Sequence, residues 1–230
     1  MVDAGTGRQY STLREWAFLR LRDMIVSGEL APGADLNERE LCDQLHISKS
    51  PLREALRQLA QEGLVVAAAN KGSYVAELTV EDIDEIHTLR YYLEVLEVRL
   101  AATRVTPEQI AELRQNIAAM EACSDAGDDK GSAGRDTEFH LMLARIAGHR
   151  RLLRVQEGLQ ADLRRAMAQQ RSWRGQQGGA AATARHRSIV EALEAHDPDR
   201  AADLMRAHIR HAEEILQESS GRTLPADPVF

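Results

Sequence analysis

At 230 residues, 43% of them hydrophobic and 28% charged, the chain has enough apolar side chains for two modest packed cores and too few charges for a disordered polypeptide. No run approaches the roughly 18 apolar residues of a membrane span, and the N-terminus lacks an apolar signal core. The two cysteines, Cys42 and Cys123, form no disulfide framework, so a soluble protein of the reduced cytoplasm, without a membrane partner, is expected. The net charge of −7 argues at first against nucleic acid, but residues 1–76 carry nine Lys/Arg and ten Asp/Glu, leaving 20 of the 29 basic and 26 of the 36 acidic residues to the remainder. The N-terminal third is near neutral, and a local basic face there can still bind DNA.

In chain order, Leu13 to Val26 has helical apolar spacing and stops at Ser27-Gly28, before the turn Ala31-Pro32-Gly33. A second helix is predicted from Asn37, with Glu40 as capping-box partner, to about Leu45. After the short connection His46-Ile47-Ser48, a third helix is predicted with Ser50 as N-cap and Pro51 at its first position, ending at Gly63. Leu52, Ala55, Leu56 and Leu59 share one face of it, whereas Lys49, Arg53 and Arg57 recur every fourth residue on another. An isolated basic face is usually a solvated surface. Here the tight connection makes the pair a helix-turn-helix, and two short apolar runs, residues 64–67 and 73–76, suit a hairpin with a basic tip, a wing.

Beyond Glu77 the pattern is almost wholly helical. Thr79 with Asp82 begins a helix to about Arg104, with Ile83, Ile86, Leu89, Leu93, Leu96 and Leu100 on one side. Thr106-Pro107-Glu108-Gln109 caps another that lasts to about Ala126, and residues 127–134 read as a polar loop. Further helices are predicted near residues 135–147, 150–171, 180–195 and 199–218, so this part is an all-α bundle of about six helices. The fold class is mostly α: a winged helix-turn-helix over 1–77, the bundle over 78–220, and a tail over 221–230.

The bundle carries a second constellation. Asp136 and His140 are four residues apart on one helix face, as a chelating pair requires. His186 lies three residues before Ile189 and seven before Leu193, and His208 follows Ala201 and Leu204, so both point inward. A single inward histidine is more often a core residue. Four such groups on three helices could converge on a divalent ion such as zinc, with nickel or manganese also compatible with imidazole and carboxylate donors.

Several ordered motifs carry a family resemblance. Ser27-Gly-Glu-Leu-Ala-Pro-Gly33, Leu36-Asn-Glu-Arg-Glu-Leu41, the stretch Ile47 to Val65 and Asn70-Lys-Gly-Ser-Tyr-Val75 resemble the DNA-binding domain of the GntR family of bacterial repressors. The resemblance implies DNA contacts from Arg39, Lys49, Arg53 and Gly72, with Ser48, Ser50 and Lys71 beside them. Lys49 stands where the family often has arginine, and offers a point charge in place of a planar fork. Asp136-x-x-Phe139-His140, Arg185-His186-Arg-x-Ile189 and Ala201-x-x-Leu-Met205-x-x-His208-Ile209 resemble the ligand-binding (FCD) domain of the FadR branch of that family. There, an aspartate and three histidines hold a metal at the floor of an effector pocket, which implies metal ligation by Asp136, His140, His186 and His208.

Arg90 precedes Glu94 by one turn, so an intrahelical ion pair is one reading. The resemblance implies another, capture of a small carboxylate such as a hydroxy acid or sugar acid. Trp173-Arg174 could close over a ligand or cap the bundle. The expected function is a ligand-responsive transcriptional regulator, a homodimer on a palindromic operator and a repressor of a catabolic operon released by its effector. Two rivals remain: a metal-dependent helical hydrolase, with Glu138 as the nearby acid although it should point away from the Asp136/His140 face, and a dimerising DNA-binding protein without a ligand.

Overall fold

A computed structural model describes residues 12–68, 72–171 and 180–220, and its contacts divide the chain into two compact units, Met1–Thr79 and Val80–Phe230. In the first unit α1 (Leu13–Val26) starts where Thr12 accepts the Glu15 N–H, and α2 (Glu38–Leu45) starts where Asn37 accepts the N–H groups of Arg39 and Glu40. His46 ends α2 in the left-handed region, at φ 54°, and Ile47 N–H bonds back to Cys42 C=O, which produces the sharp turn into α3 (Lys49–Gln61). Ala17, Leu21 and Met24 of α1 pack with Leu41, Leu52, Ala55 and Leu59 in a shared core.

The start of α3 corrects the sequence-based expectation. Ser48, extended at φ −77° and ψ 165°, is the N-cap residue, although its side chain makes no capping bond, and Pro51 falls at the third helical position instead of the first. The first turn of a helix leaves its N–H groups without intrahelical acceptors, so the proline is tolerated there and need not mark the boundary. The strands β1 (Val65–Ala68) and β2 (Gly72–Val75) pair antiparallel, Val65 opposite Val75 and Val66 opposite Tyr74, and Asp35 bridges to Tyr74. They form the wing.

The second unit contains α4 (Val80–Ala102), α5 (Pro107–Asp125), α6 (Asp129–Ile146), α7 (Arg150–Arg171), α8 (Ala180–Glu194) and α9 (Pro198–Ser220). Thr106 and Gln109 form the reciprocal capping box at the start of α5. Val98, Ile110, Leu113, Phe139, Leu143, Ile189, Leu193, Met205 and Ile209 fill one core drawn from α4, α5, α6, α8 and α9.

Two expectations are corrected here. Residues 129–134 are helical rather than loop, because the Asp128 carboxylate accepts the Gly131 N–H and caps α6 ahead of its polar first turns. On α4 the predicted leucine face is only partly the packed one. Ile83 and Ile86 are buried and Leu93 and Leu100 half-buried, but Leu89 and Leu96 are 54% and 46% exposed. The buried stripe holds His87, Arg90, Glu94 and Glu97, of which Arg90 and Glu94 find partners on other helices.

Candidate functional site

In the first unit the apolar side of α3 is consumed by the core, which leaves Ser48, Lys49, Ser50, Arg53 and Arg57 exposed together on its outer side. Arg39, near the start of α2, is exposed too. Arg53 Nε donates to both carboxylate oxygens of Glu38, at 2.8 and 3.0 Å, and this pairing holds the Glu38 carboxyl below its ordinary range. Gly72 opens β2 at φ 89°, a conformation that L side chains rarely adopt. Lys71 lies outside the described residues, as do Trp173 and Arg174.

In the second unit α6 supplies Asp136 and His140 one turn apart, α8 supplies His186 and α9 supplies His208. One donor atom from each lies within 4.8 Å of every other. The Asp136 Oδ1 atom is 3.3 Å from His186 Nε2 and 3.8 Å from His140 Nε2, and Phe139 packs its ring 4.5 Å from that of His186. The three imidazoles are buried, whereas the Asp136 side chain retains 23% of its exposure.

Burial lowers the pKa of His186 and takes that of His208 well below the ordinary histidine value, so both favour the neutral form that a metal requires. Burial opposes the Asp136 carboxylate, but the close approach of His186 and the neighbouring His140 and Arg90 outweigh it and hold the carboxyl below its usual range. Among the described residues, neither ring nitrogen of His186, nor His208 Nδ1, has a hydrogen bond of good geometry. Ligand atoms about 2.1 Å from one ion stand about 3.4 Å apart in a tetrahedral set and up to about 4.2 Å apart across an octahedral one, so the 4.8 Å spread needs a contraction of at least about half an ångström, and of about 1.4 Å for tetrahedral zinc. The donor set fits a divalent cation.

Arg90 makes the intrahelical ion pair and also reaches the histidines of the cluster. Its Nε donates to Glu94 Oε1 at 3.1 Å, and its Nη2 lies 2.9 Å from His140 Nε2 and 3.5 Å from His208 Nε2. Glu94 is the group that sequence reasoning missed as part of the site. Its Oε1 also accepts from Gln156 and Gln160 of α7, at 3.0 and 3.3 Å, and its Oε2 is 3.0 Å from His140 Nδ1, off the angle of a straight hydrogen bond. Burial alone would raise the Glu94 carboxyl, but Arg90 and His140 bring it down to about 2. A carboxylate behind a ligating histidine orients the ring and keeps the proton on Nδ1, leaving the Nε2 lone pair for a cation. The only sequence signal for this role was the Arg90/Glu94 spacing; the helical spacing of the two glutamines carried none. Glu138 is half-buried and paired with Arg145 at 2.6 Å, so it does not serve the cluster as a base.

Residues 13–75 match the bacterial regulatory proteins of the gntR family, and residues 85–211 match the FCD domain. The Nta operon transcriptional regulator of Aminobacter aminovorans is 33% identical over 84% of this chain and 90% of its own length. The chain belongs to the GntR family. A probable D-xylose utilization operon transcriptional repressor of Paenarthrobacter nicotinovorans is 34% identical to this GntR protein, covering 83% of this chain and 84% of its own. The solved structure of E. coli McbR/YncC has the same fold, with a TM-score of 0.78 at 23% identity over 92% of this chain and all of that one. This GntR protein is therefore a DNA-binding transcriptional regulator with an FCD domain, and not an enzyme. FCD domains bind small-molecule effectors, and some of them bind metal. Among the described residues no helix is long and apolar enough to cross a membrane.

Proposed function

We propose that this GntR regulator represses a catabolic operon and releases its palindromic operator when a small carboxylate, such as a hydroxy acid or sugar acid, occupies the FCD domain. The observation that carries this reading is the convergence of Asp136, His140, His186 and His208, from three helices, beside the guanidinium of Arg90. The four donors would hold a divalent metal, zinc by the chemistry of the set, with nickel or manganese as alternatives. Such an ion supplies positive charge that fixes a carboxylate without reacting with it, and Arg90 adds planar N–H donors beside it. Glu94 and the two glutamines hold both Arg90 and His140 in place.

For the DNA end, Lys49 and Arg53 of α3 are proposed to enter the major groove, with Arg39, Ser48 and Ser50 on backbone phosphates and Lys71-Gly72 of the wing at the adjacent groove. The repressor named for D-xylose utilization supports the sign of regulation and the catabolic setting. A homodimer acting in the cytoplasm is proposed, because twofold symmetry would match a palindrome; the exposed apolar row Leu89, Tyr92 and Leu96 on α4, with Val155 on α7, supports an interface there. Domain limits of 1–77 and 78–220, with a tail over 221–230, accompany this reading.

The test is a thermal-shift screen of small carboxylates with and without added divalent metal, followed by operator retention with each hit. A metal-dependent stabilising carboxylate that lowers retention is expected, since a ligand that binds the native state raises its stability by mass action. Purified protein without metal, and unchanged metal affinity in His140→Ala and His186→Ala, would overturn the pocket.

A further inference from the structure

The position of Arg90 among the candidate ligands has a consequence beyond effector capture. His140 faces Glu94 Oε2 through Nδ1, at 3.0 Å, so the ring's proton belongs on that side and Nε2 presents a single lone pair. Arg90 Nη2, 2.9 Å away, is a donor to that lone pair, and it also stands 3.5 Å from His208 Nε2. A cation ligated by His140 Nε2 needs the same lone pair. An N–H donor and a metal ion cannot share it.

We infer that the Arg90 guanidinium is an internal cation that competes with the divalent ion for His140 Nε2, so that seating the ion turns Arg90 Nη2 toward an anionic ligand. This rests on the metal reading given above. The side chain cannot simply leave: Arg90 is 5% exposed, and its Nε is held by a Glu94 carboxylate that is itself 1% exposed and bonded to Gln156 and Gln160. The fork therefore pivots about Nε. An N–H moved off its acceptor in a buried site is costly unless another acceptor is at hand, and a carboxylate oxygen beside the ion provides one. This geometry couples metal binding to anion binding. It also sets a cost on metal binding that the protein recovers only when the effector arrives, which links the two affinities reciprocally.

The experiment is calorimetric titration of Zn²⁺ alone into metal-free, full-length protein, for the wild type, Arg90→Met and Arg90→Lys, each first shown to melt cooperatively. Arg90→Met removes donor and charge together. Arg90→Lys keeps the charge beside Glu94 while the shorter side chain withdraws the donor from His140. Competition predicts Zn²⁺ binding at least about tenfold tighter in Arg90→Met, on the scale of one charge-assisted hydrogen bond, and several-fold tighter in Arg90→Lys. If Arg90→Met does not fold, Arg90→Lys decides. Equal or weaker binding in the folded variants overturns the inference and leaves the metal reading standing. Tighter binding in Arg90→Met with no change in Arg90→Lys also overturns it, because through-space repulsion would then be the whole effect. A wild type that binds no Zn²⁺ refutes the metal reading, and the inference falls with it.

Discussion

Glu97 gives the sharpest test of the energetics of the bundle. It is 1% exposed on α4, one turn beyond Glu94, and neither carboxylate oxygen has a hydrogen-bond partner among the described residues. Burial, and secondarily the negative charge of Glu94, push its pKa from 4.5 up to about 9. The folded protein therefore keeps a proton that the unfolded chain releases above pH 4.5. Between pH 4.5 and pH 9 the unfolded state binds fewer protons, so stability falls as pH rises through that window; below pH 4.5 there is no penalty. At about 1.36 kcal/mol per pH unit, the loss from this one residue between pH 5 and pH 7 is about 2.5 kcal/mol. Glu97→Gln, neutral at every pH, removes that dependence. In urea denaturation at fixed protein concentration, the gap between Glu97→Gln and wild type should move in favour of the variant by about 2.5 kcal/mol from pH 5 to pH 7. With a slope of about 2–3 kcal/mol/M, that is a relative midpoint shift of about 1 M. Comparing the two pH values cancels whatever the glutamine amide gains or loses in packing. Parallel pH profiles for the two proteins would refute the reasoning.

Glu94→Leu should behave in the opposite way, because it strands the buried Arg90 without its carboxylate: a loss of about 3–5 kcal/mol is expected by the same denaturation assay, and a loss below 1 kcal/mol would show that Glu94 is not the hub of the network. At the other end of the protein, Arg53→Ala should cost at least about tenfold in operator affinity while leaving the melting curve unchanged, since Arg53 is exposed and its removal opens no cavity. Electrophoretic mobility shift at two salt concentrations checks this, and wild-type retention would remove Arg53 from the reading surface.

What was legible in the sequence was local. Asn37 as a cap, the Thr106/Gln109 capping box, the apolar face of α3 and the i, i+4 pairing of Asp136 with His140 depend on residues within one or two turns, so spacing alone reports them. Local signals also misled where two of them competed. Ser48 and Ser50 are both credible N-caps, and only the extended backbone at Ser48 selects between them. On α4 the row of leucines outweighed a polar stripe that no apolar count favours, and Leu89 and Leu96 ended on the surface.

The sequence by itself determined the type and order of the elements, the near-neutral charge of the N-terminal part and the inward facing of His186 and His208. Tertiary structure alone decided that α6, α8 and α9 bring their donors within 4.8 Å, and that Glu94 meets Gln156 and Gln160 across 62 and 66 positions of chain. The physical reason is that helical periodicity gives the direction of a side chain but not its partner. A buried arginine and a buried glutamate are unfavourable singly, and their place in the core becomes intelligible only when the groups that satisfy them arrive from other helices.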